Sequence, residues 1–150
     1  MVPHSTWLLL GMAFVAGAFM PVQAGINGQL AKHITSPLAA ATISFVVGSL
    51  ALLLIVVLLR SPVAIEGFQK TQWWHWTGGL IGAFFVFGAT YAAPKIGALL
   101  FMALVLAGQL SSALILDHQG WLGFRQSSLT TSKLLGMTSI ALGVWLVRRG

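Results

Sequence analysis

The sequence predicts an all-α polytopic membrane protein with five transmembrane helices, and three observations lead there. Hydrophobic residues make up 57% of the 150-residue chain and charged residues only 7%, against about 25% charged residues in soluble domains. A water-facing surface could hardly be assembled from that composition. Mean hydropathy is +0.91. The apolar residues also fall into five runs, each near the ~20 residues a spanning helix needs, with the charges between them. The expectation is a single integral membrane domain over residues 1–150, without a separate extramembrane domain.

The first span covers about residues 7–31: "WLLLGMAFVAGAFM" leads into "PVQAGINGQL", which packs a proline, two glutamines, an asparagine and two glycines into ten residues. Val22 and Ala24 have the small side chains wanted at a leader-peptide cleavage site. The stretch before Trp7 carries only His4 and no Lys or Arg, so the polar stretch is read as the second half of a span. The second span, about 37–59, stops at Arg60. The third, about 74–93, opens at "QWWHW", where Trp73, Trp74 and Trp76 suit the headgroup level, and stops before Pro94. The fourth, about 96–116, lies between Lys95 and Asp117, leaving so little chain after the third that the two are expected to be antiparallel neighbours. The fifth, about 130–147, is the weakest, because only Leu134 to Val147 is free of charge; four spans plus a surface segment is the alternative. Before it, "DHQGWLGFRQSSLTTSK" has the turn residues and charges of an interfacial loop.

The net charge of +6 comes from eight Lys and Arg against two acids, Glu66 and Asp117. The basic residues are scattered singly and form no patch interleaved with aromatics, which argues against nucleic acid as a partner. Membrane lipids, with their anionic headgroups, are the expected partners. Without cysteine there are no disulfides and no thiolate metal sites. If the N-terminus is cytoplasmic, Arg60, Lys70, Arg125 and Lys133 lie inside and Lys32, Lys95, Arg148 and Arg149 outside, four against four. The positive-inside rule then favours neither orientation. Such a chain is expected to insert both ways and pair as an antiparallel homodimer; a paired homologous half of fixed opposite orientation would solve the same problem.

Polar side chains inside a span need partners, so they face other helices or a cavity. Gln23 and Asn27 lie about 40° apart around a helix, on one stripe with Leu30. Pro21, Gly25 and Gly28 form the opposite stripe, suited to close packing, with Pro21 able to act as a hinge. Gln109 and Ser112 share a face of the fourth span beside Ser111, and Thr90 and Tyr91 lie near Pro94. Gln23, Asn27, Tyr91, Gln109 and Ser112 are thus candidate substrate-binding residues; alternatively the amides bond one another and lock the packing. Small residues four apart, Ala24 with Gly28, Ser44 with Gly48, Gly78 with Gly82 and Ser139 with Gly143 among them, read as packing pairs. Trp73, Trp74, Trp76, Lys95, Asp117 and His118 are the interfacial set. Lys32, His33 and Lys95 could attract an anionic group, but snorkelling to headgroups is the preferred reading.

No Asp or Glu lies well inside a span, so proton-coupled antiport of cations, which usually needs a buried carboxylate, is not supported. The four histidines are dispersed. No metal, cofactor or catalytic motif is present, so the chain reads as neither an enzyme nor a cofactor binder.

With "QAGINGQL", "SPLAAATISFVVGSL", "WWHWTGGLIGAFFVFGATYAAPKIGA" and "AGQLSSALILDHQGWLGF" in order, the chain closely resembles the YdcZ-type family of bacterial inner-membrane exporters, in the drug/metabolite transporter superfamily. The resemblance runs from about Gly11 to Val147. It implies a five-helix half of the superfamily's ten-helix transporters, which are built as two inverted five-helix halves, and hence a dimeric small-molecule exporter with alternating access in the inner membrane. The family's first-helix glutamine and asparagine fall on Gln23 and Asn27, its "GQL" on Gly108, Gln109 and Leu110, and its "DH.G" on Asp117, His118 and Gly120. The related small multidrug transporters carry a first-helix glutamate that this chain lacks, so their chemistry does not transfer. The alternative from another class is a non-transporting accessory subunit that stabilises a partner protein.

Overall fold

A computed structural model describes residues 4–149. It is all-α. Its helices are α1 (His4–Ile34), α2 (Pro37–Leu58), α3 (Thr77–Ile96), α4 (Ala98–Gln119) and α5 (Thr131–Arg149), with short 3-10 turns at Ile65–Lys70, Trp73–Trp76 and Trp121–Gly123. The chain divides into two compact units, Met1–Lys95 and Ile96–Gly150.

Among the described residues four helices are long and apolar enough to cross a membrane: Thr6–Ile34, Pro37–Leu58, Trp73–Ile96 and Ala98–Gln119. The fifth predicted span is a helix, α5, but it falls short of that apolarity. Its 19 residues carry Lys133 in the first turn and Arg148 and Arg149 in the last.

In the first unit α1 is unbroken from His4 to Ile34 and runs straight through "PVQAGINGQL", with Pro21 inside the helix. It ends at Thr35, whose φ of 56° lies in the left-handed region, where a β-branched residue is strained by roughly 1–3 kcal/mol. The Ser36 hydroxyl then accepts from the Ala39 N–H at 3.1 Å and starts α2, with Pro37 in the first turn where a missing N–H costs nothing. The two helices pack as an antiparallel hairpin. Among the described residues, the buried apolar ones of the unit are all alanines: Ala24, Ala31, Ala40, Ala41, Ala89 and Ala93. Lipid chains are as apolar as leucine, so large side chains gain little by turning inward, and association relies on small residues that let backbones approach. Leu8, Leu9, Phe14, Leu52, Leu53 and Phe84 are accordingly exposed.

One of the predicted small pairs has this role and half of another, since Gly78 is exposed and a Cβ there would meet nothing within 4 Å. Ala24 and Gly28 are both buried on α1. Gly82 of α3 takes the ring of Phe45 from α2, whose Cζ lies 3.5 Å from where a Gly82 Cβ would be. The third helix runs past the predicted stop at Pro94 to Ile96. Pro94 lies in the last turn, where it forfeits the hydrogen bond to the Thr90 carbonyl. Gly97, with φ of 88°, is the one residue before α4.

In the second unit α4 and α5 pack together across the loop that joins them. The loop is organised by its own polar groups: the Ser127 N–H donates to the Asp117 carbonyl at 2.8 Å, and Gln126 Nε2 donates to the His118 carbonyl at 3.2 Å. Lys133 Nζ reaches back from α5 to Ser127 Oγ at 2.8 Å and the Ser128 carbonyl at 3.0 Å. Gly120, with φ of 65°, caps α4 in the left-handed conformation, the usual place for a glycine.

Candidate functional site

The second half of α1 buries Ala24, Asn27, Gly28 and Ala31. Asn27 therefore sits on the packing face, between Ala24 and Ala31, and not on a stripe opposite to it. Gly28 belongs to the same face. Gly25, predicted to pack, is exposed, and a methyl there would meet nothing within 4 Å. Pro21 is half-buried. The glycine pattern misleads because three-residue spacing alone does not say which side of a helix its neighbours occupy; Ala24 and Ala31 carry the close approach instead.

At the edge of this face α1 and α2 enclose a groove of about 430 Å³. Phe19, Val22 and Ile26 of α1 and Ile43 and Val47 of α2 make its apolar walls, and Gln23, Asn27 and Ser44 supply its polar groups. Asn27 is only 5% exposed, yet it lines the groove, while Gln23 stands exposed at the rim. Among the described residues no fully buried side-chain nitrogen or oxygen is left unpaired. The Asn27 amide, which bonds no other described side chain, therefore keeps an edge open to the groove. Two amides and a hydroxyl both donate and accept, and none carries charge. Such a wall suits a solute with an apolar body and one or two uncharged hydrogen-bonding groups, since an unpaired polar group in an apolar setting costs several kcal/mol.

Tyr91 does not join this group. Gly28 faces about 140° around α1 from Gln23, and Gly28 is the residue that meets Pro94 of α3. Tyr91, one turn before Pro94, consequently lies on the other side of α1. It lines a separate recess of about 370 Å³ together with Lys32, Thr35, Pro37, Thr90 and Lys95. There Lys95 Nζ sits 3.4 Å from the centroid of the Tyr91 ring, and Phe87 stacks on that ring at 6.1 Å. Thr90, 2% exposed, turns its hydroxyl back to the Val86 carbonyl at 2.8 Å.

In the second unit Gln109 and Ser112 are exposed on α4, and Ser111 donates to the Ala107 carbonyl at 2.8 Å. Asp117 and His118 contribute backbone carbonyls to the following loop. The tryptophans form an exposed turn, Trp73–Trp76, whose start is closed by the Gln72 N–H donating to His75 Nδ1 at 2.8 Å and by Trp74 Nε1 donating to Gln72 Oε1. Phe68 stacks on Trp76 with centroids 6.0 Å apart. Among the described residues no three His, Asp or Glu gather where a metal could bind.

Sequence reasoning missed the contribution of α2. Ser44 read as half of a packing pair with Gly48, but it lines the groove. The signal lay one turn away, in Ala40 and Ala41, the small residues that bring α2 against α1.

A family model described as "Putative inner membrane exporter, YdcZ" matches residues 8–146. The chain is similar to inner membrane protein YdcZ of Escherichia coli (strain K12), at 28% identity over 150 residues covering 95% of each chain. No solved structure matches it.

Proposed function

The chain belongs to the YdcZ family of inner membrane exporters, and from that premise we propose that it carries a small, uncharged or amphipathic solute across the membrane, with the α1–α2 groove as part of the substrate wall. It is a multi-pass protein of the bacterial inner membrane. The observation that carries the reading is the groove, where Gln23, Asn27 and Ser44 interrupt an otherwise apolar surface inside two spanning helices. Gln109 and Ser112 form an exposed polar face of their own on α4 and are proposed as a separate place of solute contact. No carboxylate lies well inside a candidate span, which favours facilitated diffusion or exchange over proton antiport.

The transporting unit is proposed as two copies in opposite orientations, alternately open to each side. Balanced positive charge, four against four, supports this, as does an odd number of spans, which inverted pairing turns into the 5+5 arrangement. The fifth span is α5. Its 19 residues extend about 28 Å at about 1.5 Å each, close to the ~30 Å hydrocarbon core. Its charges lie at the two ends, where long side chains snorkel, and the Arg149 guanidinium stacks on Trp145 at 3.8 Å.

The test is solute counterflow in liposomes, after a thermal-shift screen of the purified protein against neutral amides, alcohols and lipophilic dyes. Gln23→Leu and Asn27→Leu should abolish counterflow of the best hit and leave the dimer intact. Retained counterflow overturns the substrate wall. Lost association with a co-purifying protein, counterflow being absent in wild type too, would identify an accessory subunit instead.

A further inference from the structure

The recess that holds Tyr91 has a chemistry unlike that of the groove. It lies at the ends of three candidate spans: Ile34 closes the first, Pro37 opens the second and Ile96 closes the third. That is the depth of the lipid headgroups. Two ammonium groups, Lys32 and Lys95, line it with the hydroxyl-bearing Thr35 and Tyr91. Pro37, also in its wall, is the first residue of α2, so the positive end of that helix's dipole faces the same space. The one acid of the first unit, Glu66, is not among the residues that line it. It belongs to the 3-10 turn beyond the opposite end of α2. The cation–π contact with Tyr91 holds the Lys95 ammonium at the rim of the recess.

We infer that this recess is a binding site for a phosphate group, gripped by Lys32 and Lys95 with Tyr91 donating from the side and Thr35 joining once its hydroxyl turns from the Ile34 carbonyl, to which it donates at 2.8 Å. A phosphate has enough oxygens to meet two ammoniums and two hydroxyls at once, whereas a carboxylate has two. Lysine binds phosphate well as a compact point charge. The phosphate can come from an anionic phospholipid in the leaflet or from a soluble phosphate at the aqueous side. The competing structural role for the lysines is to neutralise the last carbonyls of α1 and α3. In that case the recess attracts phosphate no better than any other lysine on the chain. The inference is independent of the transport reading.

The test uses the full-length protein in a neutral detergent and acylation of lysine amines, read residue by residue by mass spectrometry, with Lys70 and Lys133 as internal references. The ligands are dioleoyl phosphatidylglycerol, dioleoylglycerol as a phosphate-free control, and inorganic phosphate. Saturable protection of Lys32 and Lys95 above the references by phosphatidylglycerol supports the site with lipid as its source; protection by inorganic phosphate supports it with a soluble source. Lys32→Gln with Lys95→Gln should weaken that binding about tenfold or more, while Lys70→Gln with Lys133→Gln, the same loss of charge, should not. Equal protection of all four lysines, protection by dioleoylglycerol as strong as by phosphatidylglycerol, or no saturable protection overturns the inference. Labelling of wild type decides the matter if the double variant does not fold.

Discussion

A methyl group on Gly28 would lie 2.8 Å from Cγ of Pro94, so α1 and α3 meet with nothing but backbone and a proline ring between them. A proline ring cannot rotate away, and the nearest alternative is to part the helices. Gly28→Ala should therefore destabilise the protein by about 1–3 kcal/mol, the usual cost of overpacking. Gly25→Ala, facing open space, should be neutral or stabilising by up to ~1 kcal/mol through helix propensity. Unfolding of the two variants in mixed micelles separates them, and equal stability would contradict the Gly28–Pro94 contact.

Filling the groove tests its role without removing an amide. Val47 lines it from α2 and is 61% exposed, so Val47→Trp leaves the alanine core untouched. We expect counterflow of the identified solute to be lost and the melting temperature to stay within a few degrees of wild type, the range that a ~1 kcal/mol change produces in a domain of this size.

Orientation should respond to single loops because the charge balance is even. Arg60→Gln with Lys70→Gln leaves two positive charges on one side against four on the other. A C-terminal reporter, expected on both sides in wild type, should become mostly cytoplasmic, since the four-charge side is kept inside. A wild-type reporter confined to one side, with no oppositely oriented partner, would exclude the antiparallel homodimer.

Lys133 ties α5 to the loop through Ser127 and Ser128. Lys133→Met should speed amide hydrogen exchange across residues 121–130 and cost about 1 kcal/mol or less, because hydrogen bonds of exposed charged groups are discounted by water. Unchanged exchange would mean that the Gly120 turn and the bonds of Ser127 and Gln126 to the Asp117 and His118 carbonyls hold the loop without Lys133.

Much of the fold could be read directly. Apolar runs bounded by Arg60, the tryptophans at 73, 74 and 76, Lys95 and Asp117 mark four long apolar helices to within a few residues, because spanning length and the cost of buried charge act on local sequence. The fifth run was ambiguous for the same reason: Lys133 and Arg148 leave an apolar stretch shorter than a full span. Gln23 and Asn27 stood out as polar groups where none is cheap. Their surroundings did not, since a helical stripe records angles around one axis and says nothing about which helix lies on which side.

What the sequence by itself determined is membrane residence, the helical class and the amide pair on α1, all consequences of composition and spacing within single segments. The tertiary structure alone decided that Ser44 completes the groove with Gln23 and Asn27, that Gly25 faces outward, and that Tyr91 belongs with Lys32 and Lys95 instead. Those assignments depend on contacts between residues far apart in the chain, Gly28 with Pro94 above all. In a lipid solvent such contacts are selected by how closely small residues let two backbones approach, and no single helix carries that information.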